Sequence, residues 1–126
     1  MELVDIRDKS IPSNDLTAFK KYLDQFYKSA NYSPQVKIQN LLGACIYYNN
    51  TEMLELLVDF IKSNNIEIIK DKIFEEIYYA ECRGKYIESE DKNVYPMITF
   101  ADYKSVKGSI MKKYSSVYNL YLGNKI

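Results

Sequence analysis

The chain has 126 residues, of which 47% are hydrophobic and 27% charged, and its 17 basic residues balance 17 acidic ones. This composition is typical of a folded globular protein and excludes wholesale disorder. A formal net charge of zero argues against binding that depends mainly on nucleic-acid phosphates. No apolar run reaches the roughly 18 residues that span a bilayer, and the charged N-terminus lacks the apolar core of a signal peptide. We therefore expect one cytoplasmic domain, residues 1–126, without membrane contact.

Helical spacing of the apolar residues predicts an all-α fold of about five helices, arranged as antiparallel hairpins. A short lead-in, extended or turn-like, ends at Ile11. Ser33 followed by Pro34 is a strong helix start, because the hydroxyl caps and proline suits the first helical position. Gly84 is expected to end the fourth helix, and a polar surface loop over 85–96 follows. The predicted bounds are, in chain order, 13 or 14 to 29, 34–48, 51–63, 66 or 70 to 83, and 99 or 102 to 122.

The stretch 41–61 is the most informative part of the chain. Its apolar residues recur at helical spacing on both sides of the Asn49-Asn50 pair. Asparagine tolerates the left-handed conformation that ends a helix, so Asn49 is expected to terminate one helix there. Asn50 or Thr51 is expected to cap the next helix. The resulting hairpin is apolar along one side and needs other helices to cover it.

A shift of about 35 residues relates three positions to three later ones of the same kind, as stacked helix pairs do. These positions are Leu42, Cys45 and Asn49, which map onto Ile77, Ala80 and Gly84. Together with the apolar helix that follows Glu52, the pattern over roughly residues 14–87 resembles the ankyrin repeat family. The family's Thr-Pro-Leu-His opening is absent, and a polar loop replaces the last outer helix. The resemblance implies an ankyrin-like stack that recognises proteins without catalysis; an irregular helical bundle is the alternative.

Residues that carry catalysis are scarce. The chain contains no histidine, which removes the commonest general base and metal ligand. Its two cysteines, Cys45 and Cys82, are too few for a zinc site in one chain and are expected to be buried free thiols. No phosphate-binding glycine loop or nucleophile elbow is present. We expect a non-enzymatic protein without cofactor or metal; an enzyme that uses carboxylates with Arg83 is a third alternative.

Two adjacent tyrosine pairs and several carboxylates are the candidate binding residues. Neighbouring residues of a helix cannot both face inward, so one tyrosine of each pair should be exposed and available as an interface anchor. The competing interpretation is partial burial of these tyrosines, with the hydroxyl in contact with water. Carboxylates suit a basic partner, because complementary fields speed association. The competing interpretation is a solvated helix face and a polar loop. The candidate partner-binding residues are Tyr47, Tyr48, Tyr78, Tyr79, Glu75, Glu76, Glu81, Glu88, Glu90 and Asp91. We expect a protein-interaction module, for instance an inhibitor or immunity-type protein that blocks a toxin or enzyme.

The last helix supports an alternative, a nucleic-acid-binding regulator. Lysines interleaved with aromatic residues are typical of proteins that bind single-stranded nucleic acid. The competing interpretation places Tyr103, Tyr114 and Tyr121 on an inward stripe and leaves the lysines to solvate the other face. That interpretation is favoured by spacing, because Val106, Ile110 and Val117 share the stripe. The residues of the alternative are Lys104, Lys107, Lys112, Lys113 and Lys125 with Tyr103, Tyr114, Tyr118 and Tyr121.

Overall fold

A computed structural model describes residues 2–26, 33–88 and 100–123. These residues contain six α-helices and no strand, which confirms the all-α prediction. The first and last helices each continue into a π-helical segment, Ile6–Ser10 and Asn119–Gly123 respectively. The helices are α1 (Leu3–Asp5), α2 (Leu16–Asp24), α3 (Pro34–Tyr47), α4 (Thr51–Asn64), α5 (Lys70–Glu88) and α6 (Phe100–Tyr118).

The helices pack in two layers around one cluster of buried apolar side chains. The first π-helical segment packs against α3 and α3 against α5, which makes an inner layer, while α2 contacts α4 in an outer layer. Helix α6 packs against α5 and α3, and its π-helical end contacts α4. Helices α3 and α5 run in the same direction, as two hydrogen bonds between their sides of the fold show. Gln35 donates to the Glu67 carbonyl (3.1 Å), and further along both segments Asn40 donates to Glu76 (2.8 Å).

The turn between α3 and α4 forms as the asparagine pair predicts. Asn49 is left-handed, with φ 54°. Its N–H donates to the Ile46 carbonyl (3.2 Å), and the N–H of Asn50 donates to the Cys45 carbonyl (2.9 Å). Asn50 is the N-cap of α4, where its side chain accepts a hydrogen bond from the Met53 N–H at 3.3 Å. The capping expectations for both asparagines are therefore confirmed.

A second turn of the same geometry precedes α2. Asn14 is left-handed with φ 58°, and its N–H donates to the Ile11 carbonyl (3.2 Å). The N–H of Asp15 donates to the Ser10 carbonyl at 2.8 Å, and its side chain caps α2 by accepting from the Ala18 N–H (3.1 Å). Neither Ser13 nor Asn14 is the cap, so that expectation is wrong by one or two residues.

The lead-in was expected to be extended or turn-like, and this is wrong because Leu3–Asp5 and Ile6–Ser10 are helical. The reason is burial: Ile6 and Ile11 enter the core and are almost inaccessible to solvent. Helix α2 ends at Asp24, five residues before its predicted end at position 29, and residues 27–32 lie outside the described part.

Gly84 does not end α5, and the prediction that it would is wrong. No described glycine has a positive φ, and the helix continues to Glu88. Its missing side chain serves packing instead, since a Cβ there would lie 3.0 Å from Cε2 of Tyr47 and 3.2 Å from the hydroxyl of Tyr48. Positions 85–88 of the expected polar loop are consequently helical, and the rest of that loop lies outside the described residues.

Candidate functional site

Glu76 belongs to a charge cluster that joins the three inner-layer elements. Its carboxylate accepts a hydrogen bond from Nδ2 of Asn40 on α3 at 2.8 Å. Arg83, further along α5, places its Nε 3.4 Å from Oδ1 of Asp8, which Arg7 also holds at 2.7 Å. Burial raises the pKa of Glu76, and the positive charge of Arg83 partly offsets this. Burial and the nearby Arg7 lower the pKa of Arg83. Nη2 of Arg83 and Oδ1 of Asn40 are nevertheless buried without a hydrogen-bond partner among the described residues.

Glu75 is buried, so the expectation of a solvated acidic face is wrong for this residue. Its carboxylate accepts a hydrogen bond from the hydroxyl of Tyr79 at 2.6 Å and lies 3.2 Å from Nζ of Lys72. Burial, followed by this hydrogen bond, raises the pKa of Tyr79. The sequence contained the signal, because residues three and four apart on a helix are neighbours.

Among the remaining candidate carboxylates, the structure describes the side chain of Glu81. Glu81 is half-buried and lies 3.0 Å from Nζ of Lys85. Glu88 forms the last residue of α5. Glu90 and Asp91 lie outside the described residues. The described carboxylates Glu75, Glu76 and Glu81 each contact a polar side chain of the fold.

Replacing Glu76 with glutamine is expected to change how stability depends on pH. Because the pKa of Glu76 is raised in the folded state, this carboxyl stabilises the fold most at low pH. Its contribution falls as pH rises from the unfolded pKa through the folded pKa. The difference in unfolding free energy between Glu76→Gln and the parent should therefore shift in favour of the variant across that window and then level off.

Urea unfolding of both proteins between about pH 4 and about pH 8 measures this difference. Glu67→Gln, at an exposed carboxylate, controls for the loss of one negative charge. A difference for Glu76→Gln that stays constant across the window would contradict the expectation.

Tyr47 and Tyr48 lie at the C-terminal end of α3, and both are half-buried. Their rings meet edge to face, with centroids 4.8 Å apart, and both lean over Gly84. The expectation that one residue of this pair would be exposed is wrong, since the glycine lets both rings settle against α5.

Tyr78 and Tyr79 are likewise both half-buried, so the same expectation is wrong for this pair. The ring of Tyr78 packs against that of Tyr103 on α6, with centroids 6.1 Å apart. Burial, followed by a hydrogen bond with Cys82, raises the pKa of Tyr78 to about 12. This pair contributes to the α5–α6 contact.

One cavity unites residues from both sequence hypotheses, the tyrosine pair of α3 and the lysine-rich helix α6. Its volume is ≈ 520 Å³. We call it the tyrosine cavity. Its lining residues are Ile46, Tyr47, Tyr48, Asn49, Lys113, Tyr114 and Val117.

The volume of the tyrosine cavity, ≈ 520 Å³, falls within the range of small-molecule sites in proteins. Tyr114 is buried on the α6 side, and Nζ of Lys113 lies 5.3 Å from the centroid of its ring. Within the part of the chain that the structure describes, no acidic side chain lines the cavity. It is thus aromatic, with a single cationic group at its edge.

The tyrosines of α6 lie mainly on its inward stripe, as the spacing favoured. Tyr103, Tyr114 and Tyr118 are buried, and Tyr121 in the following segment is half-buried. Lys107 is 3.4 Å from Oδ2 of Asp71. Three of the other lysines are exposed, Lys104, Lys112 and Lys113, while Lys125 lies outside the described residues. The exposed face of α6 therefore offers lysines without the interleaved tyrosines that base stacking would use.

A second surface, not anticipated from the sequence, lies between α2 and α4. Two cavities of ≈ 350 Å³ and ≈ 240 Å³ share Lys20, Leu56 and Asp59 and so form one continuous depression. We call it the outer groove. Its apolar floor consists of Leu16, Leu23, Leu56 and Phe60, all partly buried, and its charged rim of Lys20, Asp24, Glu52, Glu55 and Asp59, all exposed.

The acidic half of this groove is visible in the sequence, because Glu52, Glu55 and Asp59 recur at helical spacing on one helix. The sequence did not indicate which helix packs beside α4. The groove exists only because α2 lies beside α4, a tertiary contact that no local pattern encodes.

The cysteines agree in part with expectation. Both are free thiols; Cys45 is buried, which raises the pKa of its thiol, whereas Cys82 is only half-buried. Across residues 2–26, 33–88 and 100–123, no group of three or more Cys, Asp or Glu side chains is placed to hold a metal ion. In the same ranges, no helix combines the length and the apolar character needed to cross a bilayer.

Comparison with known proteins gives no family assignment. No family model matches the chain, and no curated protein and no solved structure is significantly similar to it.

Proposed function

We propose that the chain is a non-enzymatic protein-interaction module whose outer groove binds a basic amphipathic segment of another protein. The observation that carries this proposal is an apolar floor bordered by exposed carboxylates on both helices of the groove. The floor supplies the area that a partner's apolar side chains bury, and the rim supplies charge complementarity.

The charge balance of the rim favours a basic partner. Four carboxylates face one ammonium group, that of Lys20. None of the four, Asp24, Glu52, Glu55 and Asp59, has an ion-pair partner among the described residues. Their negative charges are therefore not neutralised by a described neighbour, unlike that of Glu75, which lies beside Lys72. Such a field steers a positively charged segment and weakens with added salt.

The partner segment that fits best is a helix with apolar residues at i, i+3 or i+4 and i+7, since a helix in a groove is a recurrent recognition mode. Lysine and arginine on its flanks would face the carboxylates. A concrete form of this function is an inhibitor or immunity-type protein that covers a basic surface of a toxin or enzyme. We place the protein in the cytoplasm, and its two free thiols support this.

Two turns of the same geometry support the proposal of an ankyrin-like stack. The turns at Asn14-Asp15 and at Asn49-Asn50 share their left-handed residue, their capping side chain and their backbone hydrogen bonds. Their separation of about 35 residues is close to one ankyrin repeat. Proteins built in this way commonly bind other proteins along an extended surface.

Selection of a displayed random peptide library against the full chain tests the proposed function. We expect selected peptides rich in lysine and arginine, with apolar residues at helical spacing. The double variant Glu55→Lys/Asp59→Lys should weaken their binding by about tenfold or more, because it replaces attraction by repulsion at the groove rim. Titration calorimetry at two salt concentrations measures the loss.

The matched control is Glu2→Lys/Glu67→Lys, which changes the net charge equally at exposed positions outside the groove. It should bind the selected peptides nearly as well as the parent. Peptides without basic residues, or equal losses in the two double variants, would overturn the proposed function.

A further inference from the structure

We infer that the tyrosine cavity binds a small flat aromatic molecule that carries a negative charge, the chemistry of a nucleoside monophosphate. The inference is independent of the proposed function, because the tyrosine cavity and the outer groove share no lining residue.

The walls of the cavity suit a flat ring. Tyr47 and Tyr48 come from the end of α3 and Tyr114 from α6, so aromatic side chains approach from two different helices. Aromatic ligands bury their faces and edges against such rings in stacked or edge-to-face contacts. Ile46 and Val117 add apolar residues to the lining, and Asn49 adds a polar one. The volume of ≈ 520 Å³ accommodates a ring system together with a polar substituent.

The geometry of the tyrosine pair is fixed by the fold. The centroids of the two rings are 4.8 Å apart. Both side chains pack against Gly84, where a Cβ would lie 3.2 Å from each of the two hydroxyls. Rings held in this way lose little freedom when a ligand binds, which favours affinity. Gly84 thereby positions Tyr47 and Tyr48 without touching the ligand.

The charge of the lining selects an anion. Among the described residues, Lys113 is the one ionised side chain that lines the cavity, and it is exposed. Its ammonium group is available to a phosphate or carboxylate while the ring of the same ligand rests among the tyrosines. A neutral aromatic molecule would lack that second contact, and an inorganic anion would lack the first.

Three probes separate these contributions: adenosine 5′-monophosphate, adenosine and inorganic phosphate. Nuclear magnetic resonance titration of the full chain should show the monophosphate binding with a dissociation constant of about 1 mM or lower. Adenosine should bind about fivefold more weakly, the effect of one exposed ion pair, and phosphate alone should not bind measurably. Shifts should concentrate on Tyr47, Tyr48 and Tyr114.

The variant Lys113→Gln should reduce the affinity for the monophosphate to that of adenosine, while adenosine binding stays unchanged. Lys112→Gln is the matched control, because Lys112 is an exposed neighbour that does not line the cavity. Equal binding of the monophosphate to Lys113→Gln and to the parent would overturn the inference. So would binding of a single-stranded oligonucleotide by a protein that ignores all three small probes.

Discussion

Gly43→Ala is expected to destabilise the protein by about 2–4 kcal/mol, because α3 and α5 are in contact at that position and leave no room for a side chain. A Cβ on residue 43 would lie 2.5 Å from Cβ of Glu76 and 2.6 Å from its backbone carbonyl carbon. Rotation of a side chain cannot relieve a clash with backbone, so the two helices must separate. Separation would weaken the packing of the whole inner layer. Urea unfolding followed by far-ultraviolet circular dichroism measures the loss.

Gly108→Ala is the matched control for this experiment. Gly108 also lies within a helix, α6, but a Cβ there would meet nothing within 4 Å. Helix propensity alone then decides, and the variant should be more stable by about 0.5–1 kcal/mol. The same substitution thus has opposite signs at the two glycines. A Gly43→Ala protein as stable as the parent would show that α3 and α5 do not approach each other so closely.

The elements that the sequence predicted well are those decided by neighbouring residues. Asn49 and Asn50 end one helix and begin the next through contacts within a few positions, so the hairpin was predictable with its caps. Ser33 likewise caps α3 by accepting a hydrogen bond from the Val36 N–H at 3.3 Å. Local side-chain and backbone hydrogen bonds of this kind are encoded in short segments.

The predictions failed where residues that are distant in the sequence determine the local structure. Glycine suits both a helix end and a close packing contact, and at Gly84 the choice is made by tyrosines from another helix, Tyr47 and Tyr48. Glu76 was taken as surface charge because Asn40 and Arg7, which interact with it in the fold, are remote in sequence. The outer groove and the tyrosine cavity depend on helix pairings in the same way.

Asn50→Ala is expected to cost about 2–4 kcal/mol, which combines the loss of a helix cap with the loss of a buried link between two turns. The Asn50 side chain accepts from the Met53 N–H at 3.3 Å. Its amide donates to the Ile11 carbonyl at 3.3 Å and to Oδ1 of Asn14 at 3.1 Å. In the alanine variant, the Met53 N–H, the Ile11 carbonyl and Oδ1 of Asn14 each lose the hydrogen bond that Asn50 makes. The hydrogen bond to the Ile11 carbonyl is buried, so its loss is costly. Urea unfolding measures the change.

Two further variants separate the cap from the link. Asp15→Ala removes the equivalent cap of α2 at an exposed residue and should cost only about 1 kcal/mol. Asn50→Ser retains a capping oxygen but is too short to reach Ile11, so it should recover about 1 kcal/mol of the alanine loss. Full recovery by serine would mean that the link between the turns contributes nothing. Partial recovery would mean that Asn50 stabilises the preceding turn, at Ile11 and Asn14, as well as its own, so that one side chain couples two successive helical hairpins.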